Sequence, residues 1–459
     1  MEDKKELGSE ESVANMGVGS LAVLVDRDPK KSPFLKRVEL LRPTTDNETL
    51  VHLIKGSLGT GVLAMPYAFS NAGIALGIPA TLFVGFVCAY CVHILVAAAQ
   101  ELCWRHNRSA LDFGEIAELA VLHGPKSTRK LGGVARTIIK TFIVLAAMGA
   151  CCVYIVFVSE NISLVMNYYL AEEGQEIRIK LYIPCVTVVV LALSMVRDLK
   201  RLAPLSLISN ILILTSIAII LVYVFQDLPS IQDRPNFISI GRFPVFFSTC
   251  VFALEGITVV MPLENNMIKP THFTGCFRVL NTSMTIIVCI YAFLGFFGYL
   301  KYGSEIKGSI SLNLPEEDPL AQTAQIALGV AVAFTYPLQF YCGMNFTWPT
   351  VKEFLEKRKP SLSGLTGEYI YRVVLVFITM CVGLAIPNLG SLMGLIGAVC
   401  LSTVGIMFPP VLETLVYWND LGPGKWLLWK NICIFIFGFI GFSTGLYTSM
   451  VDIIHSFSE

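Results

Sequence analysis

The stretch of the chain best suited to chemistry is HLIKGSLGTGVLAMP, from His52 to Pro66, where glycines and ionisable side chains interrupt an apolar run. Gly56, Gly59 and Gly61 lie within two helical turns, and each glycine inside a helix costs about 1 kcal/mol relative to alanine. In a bilayer the freed backbone N–H and C=O groups persist only where they line a cavity in the protein. The pattern predicts a broken membrane helix at a binding site.

Two ionisable side chains accompany the glycines. A lipid-facing helix excludes them, since a lysine at its centre costs about 2.5 to 3.5 kcal/mol. His52 suits a proton switch because histidine changes its charge near neutral pH. The alternatives are a silent interfacial histidine at His52 and, at Lys55, a lysine whose ammonium reaches the membrane surface.

A second apolar run, FSTCVFALEGITVVMPLENNM, carries Glu255 and Gly256 near its midpoint. A carboxyl group at that depth must be protonated, paired or turned toward a water-filled cavity. We therefore predict a second helix break.

The two breaks together suit a zwitterion. Free N–H groups at the start of a helix segment attract a carboxylate, and free carbonyls at the end of another accept hydrogen bonds from an ammonium group. The predicted groups are the N–H groups around Gly59, Thr60 and Gly61 and the carbonyls of Phe252, Ala253 and Leu254.

The elements that must position these groups are membrane helices. Of the 459 residues, 54% are hydrophobic and 15% are charged, whereas a soluble domain holds about 25% charged residues. Residues 1–46 lack a sustained apolar period and are predicted to form a disordered cytoplasmic tail, followed by a transmembrane domain over 47–459. About eleven apolar segments approach the roughly 20 residues that a membrane helix needs: 49–70, 73–99, 137–159, 179–196, 204–225, 243–263, 279–300, 321–346, 370–388, 391–412 and 429–451.

Loop charges predict the orientation. Lysine and arginine concentrate in alternate loops, and only six fall in the others: Arg178, Lys180, Arg234, Arg242, Lys301 and Lys307. By the positive-inside rule the N-terminus is cytoplasmic and the C-terminus extracellular. The loops near 160–178 and 302–320 are then acidic, external and expected to be solvated. They contain one weak glycosylation triplet at Asn161.

The two breaks open two blocks of five spans, at about 49–225 and 243–412, and a single span follows at about 429–451. Because five is odd, the second block enters the membrane from the opposite side, so the blocks form an inverted repeat. Interrupted helices at corresponding positions of such repeats indicate a transporter binding site near the bilayer midplane.

Other functions find no support in the sequence. The 34 basic and 34 acidic residues cancel, so no global field recruits nucleic acid. Most cysteines lie in apolar runs, where they behave as small hydrophobes, and we expect no disulfide framework. The chain lacks the GxxxxGK[ST], HExxH and paired CxxC motifs. We expect neither an enzyme nor a metal or cofactor.

Five motifs carry a family resemblance: HLIKGSLGTGVLAMPYAFSNAG, RDLKRLAPLSLISN, LEGITVVMPLENNM, YPLQFY and IMFPPVLE. With them the chain resembles the amino acid/auxin permease family and, within it, the proton-coupled amino acid transporter branch. The resemblance implies an all-α LeuT-like fold, with two inverted five-helix repeats, broken helices 1 and 6 and an eleventh helix. It also implies symport of protons with small neutral amino acids such as alanine, glycine and proline, with His52 and Glu255 in proton coupling. Relatives often carry external-loop cysteines that this chain lacks, so their external disulfide is not expected here.

Further residues complete the predicted site. Lys55 is a candidate to pair with Glu255 where sodium-driven relatives of the fold hold a sodium ion. The other candidates to line or gate the substrate site are Gly56, Ser57, Gly256, Tyr154, Phe252 and Tyr336.

The sequence thus predicts a secondary active transporter in the plasma membrane, with the endolysosomal membrane as the alternative. Two other functions stay open: a proton-independent amino acid facilitator, and an amino acid sensor that signals through a partner at the cytoplasmic tail.

Overall fold

The computed structural model describes residues 33–34, 43–170, 178–197, 199–254, 256–275, 277–358 and 364–458. Within these ranges the chain is helical, apart from loops and one isolated β-bridge between Thr44 and Met267. The α-helices are Asp46–Ser57 (α1), Thr60–Ala72 (α2), Ile74–His106 (α3), Phe113–His123 (α4), Gly132–Leu170 (α5), Ile179–Ser194 (α6), Leu199–Phe225 (α7), Phe243–Leu254 (α8), Ile257–Asn265 (α9), Val279–Tyr302 (α10), Pro319–Arg358 (α11), Leu365–Ala385 (α12), Leu389–Ile396 (α13), Phe408–Val416 (α14) and Trp426–Ser458 (α15).

Eleven spans can be assigned to this part of the chain. Nine helical stretches are long and apolar enough to cross a membrane, among them Phe243–Asn265, which joins α8 and α9, and Leu389–Val416, which joins α13 and α14 through π-helical turns. The shorter apolar helix α6 and the interrupted pair α1–α2 supply the other two. The predicted all-α fold with breaks in spans 1 and 6 is confirmed.

Burial separates the central spans from the peripheral ones. In spans 6 and 10, 71% and 72% of the most apolar stretch is buried, against 22% in spans 5 and 11 and 28% in span 9. The exposed apolar residues of spans 5, 9 and 11 therefore face lipid. Span 6 and the α2 half of span 1 lie in the buried centre of the bundle, where a substrate site is shielded from lipid.

Capping residues set where α1 begins. The Thr45 hydroxyl accepts from the Glu48 N–H, and the Glu48 carboxylate accepts in return from the Thr45 N–H, so a capping box starts α1. These hydrogen bonds hold the pKa of the exposed Glu48 carboxyl below its usual value. We call the face where α1 starts the inner face, following the predicted orientation.

Part of the predicted disordered tail is docked at this face. Phe34 is buried edge-on against Trp104, and the Thr44 backbone donates to the Asn266 carbonyl at 2.8 Å and accepts from the Ile268 N–H at 3.0 Å. The beginning of α1 is thereby tied to the end of α9. Residues 1–32 and 35–42 of the tail lie outside the described residues.

At the outer face, the loop expected to be solvated is instead packed into the protein. Residues 303–314, which we call the outer plug, form short 3-10 turns whose Ser309, Ile310 and Ser311 are buried. The Gln325 amide donates to the Ser311 carbonyl at 3.1 Å, and the plug packs on α2, α5 and α11. In this segment apolar side chains alternate with serines, so the apolar groups pack and the polar groups form hydrogen bonds. The charges of the loop, on which the expectation of a solvated segment is based, give no sign of this pattern.

Candidate functional site

The break in span 1 comprises two residues. The helix α1 ends at Ser57 and α2 begins at Thr60, while Leu58 (φ −75°, ψ 82°) and Gly59 (φ −129°, ψ −148°) leave the helical conformation. No side chain caps α2, so its first N–H groups lack the acceptors that a continuous helix would supply. The break lies at the predicted position.

The break in span 6 separates α8, which ends at Leu254, from α9, which starts at Ile257. Gly256 adopts φ −136° and ψ 1°. Glu255 lies outside the described residues, so its predicted proton-coupling role stays a prediction.

The two breaks lie side by side because glycine lets their backbones touch. A Cβ atom on Gly61 would lie only 2.6 Å from the Ala253 Cα, and one on Gly256 would lie 3.3 Å from the Ser57 hydroxyl. At Gly59, by contrast, an added Cβ would meet nothing within 4 Å. The glycines therefore serve two purposes: Gly61 permits contact, and Gly59 leaves space.

That space is a cavity of about 90 Å³ between the breaks. Nine residues predicted for the site line it: Gly56, Ser57, Gly59, Thr60, Gly61, Tyr154, Phe252, Ala253 and Gly256. Six further lining residues were not predicted: Ala146, Ala150, Thr258, Val259, Gln339 and Leu401.

Two predicted residues face elsewhere. Leu254 lines a second, apolar cavity of about 20 Å³ on the other side of Gly256. Tyr336 is fully buried, and its hydroxyl lies 2.9 Å from that of Thr379 in span 9. The side chains of both residues point away from the site, but the prediction for Leu254 concerns its backbone carbonyl and stays a prediction.

Hydrogen-bonding groups are distributed around the cavity. The Gln339 amide, from span 8, makes no hydrogen bond within the described part of the chain, so it is available to a ligand. The Ser57 hydroxyl donates to the Leu53 carbonyl at 3.1 Å, and the buried Tyr291 hydroxyl of span 7 donates to the Ser57 carbonyl. The Ser57 carbonyl also accepts from the Gly59 N–H at 2.9 Å, so Tyr291 is its second donor and holds the end of α1 against span 7.

The predicted proton-coupling residues of α1 lie next to the cavity rather than in its wall. His52 is exposed, one turn before Gly56 and on the same side of the helix. Lys55 is half-buried and is not among the residues that line the cavity. His52 stands about 6 Å inward of Gly56 along the helix axis, at a rise of 1.5 Å per residue.

One part of the cavity wall is exposed, on the side of the predicted inner face. Gly56, in the cavity wall, is exposed there, whereas the plug packs on α2, α5 and α11.

Asn161 does not suit glycosylation in the folded protein. It is wholly buried inside α5, and its amide donates to the Phe157 carbonyl at 2.9 Å. Because the helix extends to Leu170, the triplet is not at a loop edge, and a glycan has no room there.

Two signals in the sequence could have found the missed residues. Ala146, Ala150 and Tyr154 are spaced by four and therefore share one face of α5. Gln339 is a polar residue in the middle of the YPLQFY motif, within an apolar span. Small residues and an amide on facing helices indicate a lined cavity.

Broken helices that meet at a buried polar cavity, in a bundle of eleven spans, define the class of secondary transporters with discontinuous helices. The chain matches the family described as "Transmembrane amino acid transporter protein" over residues 42–451. It belongs to this family and is an amino acid transporter, a multi-pass membrane protein and not an enzyme.

Relatives and one solved structure agree with this assignment. The chain is 40% identical over 418 residues to the Drosophila melanogaster "Proton-coupled amino acid transporter-like protein pathetic", covering 91% of this chain and 87% of the relative. It is 24% identical over 425 residues to the Caenorhabditis elegans "Probable amino acid transporter skat-1", covering 90% and 91%. A crystal structure of a mutant manganese transporter from Eremococcus coleocola covers 89% of this chain and 92% of its own at a TM-score of 0.50 and 13% identity. This last likeness concerns the fold alone, and the LeuT-like prediction is confirmed.

Proposed function

We propose that the protein is a symporter that couples inward movement of small neutral amino acids to protons. The observation that carries the proposal is the uncharged polar cavity enclosed by the two helix breaks. The name of the 40% identical Drosophila relative supports proton coupling.

The cavity suits the two ends of a zwitterion. The substrate carboxylate accepts hydrogen bonds from the N–H groups at the start of α2, near Thr60 and Gly61, where the helix dipole is positive. The ammonium group donates to carbonyls at the end of α8, near Phe252 and Ala253. Both ends of the ligand thus bind backbone groups, which leaves its side chain as the variable part.

The rest of the wall limits that side chain. Ala146, Ala150 and Val259 are small or apolar, and no described residue that lines the cavity carries a charge. A charged substrate side chain would pay a desolvation cost without a partner, so glycine, alanine and proline are the expected substrates. Replacing Ala150 by valine should reduce uptake of proline more than that of glycine, because the added methyl groups narrow the cavity.

In the proposed cycle, Glu255 or His52 takes a proton from the acidic side, and the substrate binds between the breaks. Spans 1 and 6 then move together, as their backbone contact at Gly61 and Ala253 and the bridge at Thr44 favour, and the site opens inward. Lys55 is proposed to pair with Glu255. We further propose a plasma-membrane location with a cytoplasmic N-terminus, and an endolysosomal membrane as the alternative.

The experiment is uptake of labelled glycine, alanine and proline in cells that express the protein, at external pH 5.5 and 7.5, with membrane current recorded and sodium replaced by choline. Proton symport predicts an inward current that grows at low pH and is reduced in Glu255→Gln or His52→Ala. Full proton-driven uptake in both variants refutes the assigned coupling residues. Saturable uptake without current or pH dependence refutes symport and leaves a facilitator, and binding without uptake leaves a sensor.

A further inference from the structure

One carboxyl group outside the cavity has an unusual environment. Glu160 lies six residues beyond Tyr154 in α5, which places it about 9 Å further toward the outer face along the helix. The residue is half-buried, but its Oε2 is shielded from solvent and has no hydrogen-bond partner among the described residues. Buried polar atoms nearly always have a partner, so this oxygen requires an explanation.

Glu160 lies beside the contact between the outer plug, span 1 and span 10. We call these three elements the outer gate and their contact its seam. The backbone N–H of Leu389, the first residue of α13, lies beside the carboxyl group of Glu160. A Cβ atom on the next residue, Gly390, would lie 2.7 Å from the Tyr67 ring of α2, and one on Gly308 of the plug would lie 2.8 Å from the Gly390 nitrogen. The plug, span 1 and span 10 therefore meet beside this carboxyl group.

The charges near this seam do not compensate an ionised carboxylate. The exposed Lys307 of the plug attracts the Glu160 carboxylate, but the two residues form no ion pair within the described ranges. The helix α13 carries no ionisable residue, and α2 carries only Tyr67. A single backbone N–H does not offset the cost of desolvating an ionised carboxylate whose second oxygen is buried. Burying an unpaired charge is far more costly than burying a neutral acid.

We propose that Glu160 is a proton-binding residue of the outer gate, which closes only over the neutral carboxylic acid. When the gate opens, a proton from the outer solution binds a carboxylate oxygen of Glu160 and forms an O–H bond. When the gate opens while the outer solution is less acidic, the O–H bond breaks, the proton returns to water, and Glu160 is again a carboxylate. The proposal rests on the transporter function in that it assumes alternating access, but it adds a site distinct from His52 and Glu255.

Linkage gives the expected effect. If one proton is bound in the closed state and released in the open state, the open fraction changes by at most about tenfold per pH unit. Acidification is therefore expected to lower the solvent exposure of the residues that are buried when the plug is closed.

The experiment measures this exposure directly on the purified full-length protein in nanodiscs, without substrate or a pH gradient. Ile310 is fully buried in the plug and Ser304 is exposed, so Ile310→Cys reports opening and Ser304→Cys reports the intrinsic pH dependence of the thiol. A charged methanethiosulfonate reagent labels both at pH 5.5 and 7.5, after subtraction of labelling of the native cysteines.

The expected result is a labelling ratio, Ile310→Cys to Ser304→Cys, that falls by up to about tenfold per pH unit of acidification. Adding Glu160→Gln, a neutral mimic of the acid, should make the ratio low and equal at both pH values. A ratio that does not vary with pH, or that varies equally with and without Glu160→Gln, overturns the proposal. If the Gln variant does not fold, Glu160→Asp replaces it, and an unchanged midpoint of the pH dependence then overturns the proposal. Failure of symport would appear in the uptake currents, independently of this labelling.

Discussion

The contact between Gly61 and Ala253 gives the sharpest test of the site. A Cβ atom at Gly61 would lie 2.6 Å from the Ala253 Cα, 3.1 Å from its carbonyl oxygen and 3.2 Å from its Cβ. Carbon atoms pack at about 3.5 to 4.0 Å, so in Gly61→Ala the two half-helices must separate by roughly 1 Å. Backbone rather than a flexible side chain blocks the new methyl group, and overpacking of this kind costs about 1 to 3 kcal/mol.

If that strain opposes substrate binding, it corresponds to a loss of roughly 5-fold to 150-fold in affinity, at 1.4 kcal/mol per tenfold. The matched control is Gly59→Ala, two residues away, whose added methyl group would project into open space. We expect Gly61→Ala to lower both the thermal stability of the purified protein and the uptake of every substrate. Gly59→Ala should keep its stability within about 1 kcal/mol and lose uptake of proline before that of glycine.

Thermal unfolding in detergent and labelled uptake, normalised to surface expression, measure the two effects. Equal stability of the two variants would refute the argument that Gly61 permits contact. Equal loss of all substrates in Gly59→Ala would refute the argument that Gly59 borders the substrate side chain.

Two further predictions concern polar contacts at the ends of spans. Tyr291→Phe removes one of two donors to the Ser57 carbonyl, which also accepts from the Gly59 N–H, so the expected loss is that of one hydrogen bond, about 0.5 to 1.5 kcal/mol; thermal unfolding should show the loss, and unchanged stability would mean that the Gly59 N–H suffices. Arg372→Ala removes a buried partner of Glu368 that also donates to a carbonyl at the end of α6, which should cost about 3 kcal/mol or more. Arg197→Ala, which removes the more exposed partner of the same carboxylate, should cost no more than about 1 kcal/mol, and a reversed order in unfolding temperatures would contradict this assignment.

The positions of the spans and breaks could be predicted because they depend on local chemistry. Twenty apolar residues must form a helix in a bilayer, and clustered glycines interrupt it at a cost that only a cavity makes tolerable. The predicted breaks near residues 58 and 255 therefore agree with the ends of α1 at Ser57 and α8 at Leu254.

Side-chain directions and the role of the outer loop could not be predicted in this way. Tyr336 and Gln339 are three residues apart in one helix, yet only Gln339 reaches the cavity, because the rotation of span 8 depends on its packing against spans 3 and 5. The plug looked like a solvated loop because Glu305 and its acidic neighbours dominate its charge, while the buried Ile310 gives no periodic signal in so short a segment.

The two sides of the cavity are closed by different physical means, and this difference bears on how transport is driven. At the outer face, the plug and α13 join through backbone-close glycine contacts at Gly308 and Gly390, beside a carboxyl group that is poorly solvated unless it is neutral. At the inner face, α1 exposes His52 and Gly56 and is held by Tyr291 and the short bridge at its start. Opening the outer seam requires these close contacts to separate, whereas part of α1 is already exposed at the inner face. With the proposed role of Glu160, an acidic outer medium acts on this seam: by keeping the carboxyl group neutral it favours the closed seam and makes its opening more costly, while the substrate leaves at the inner face.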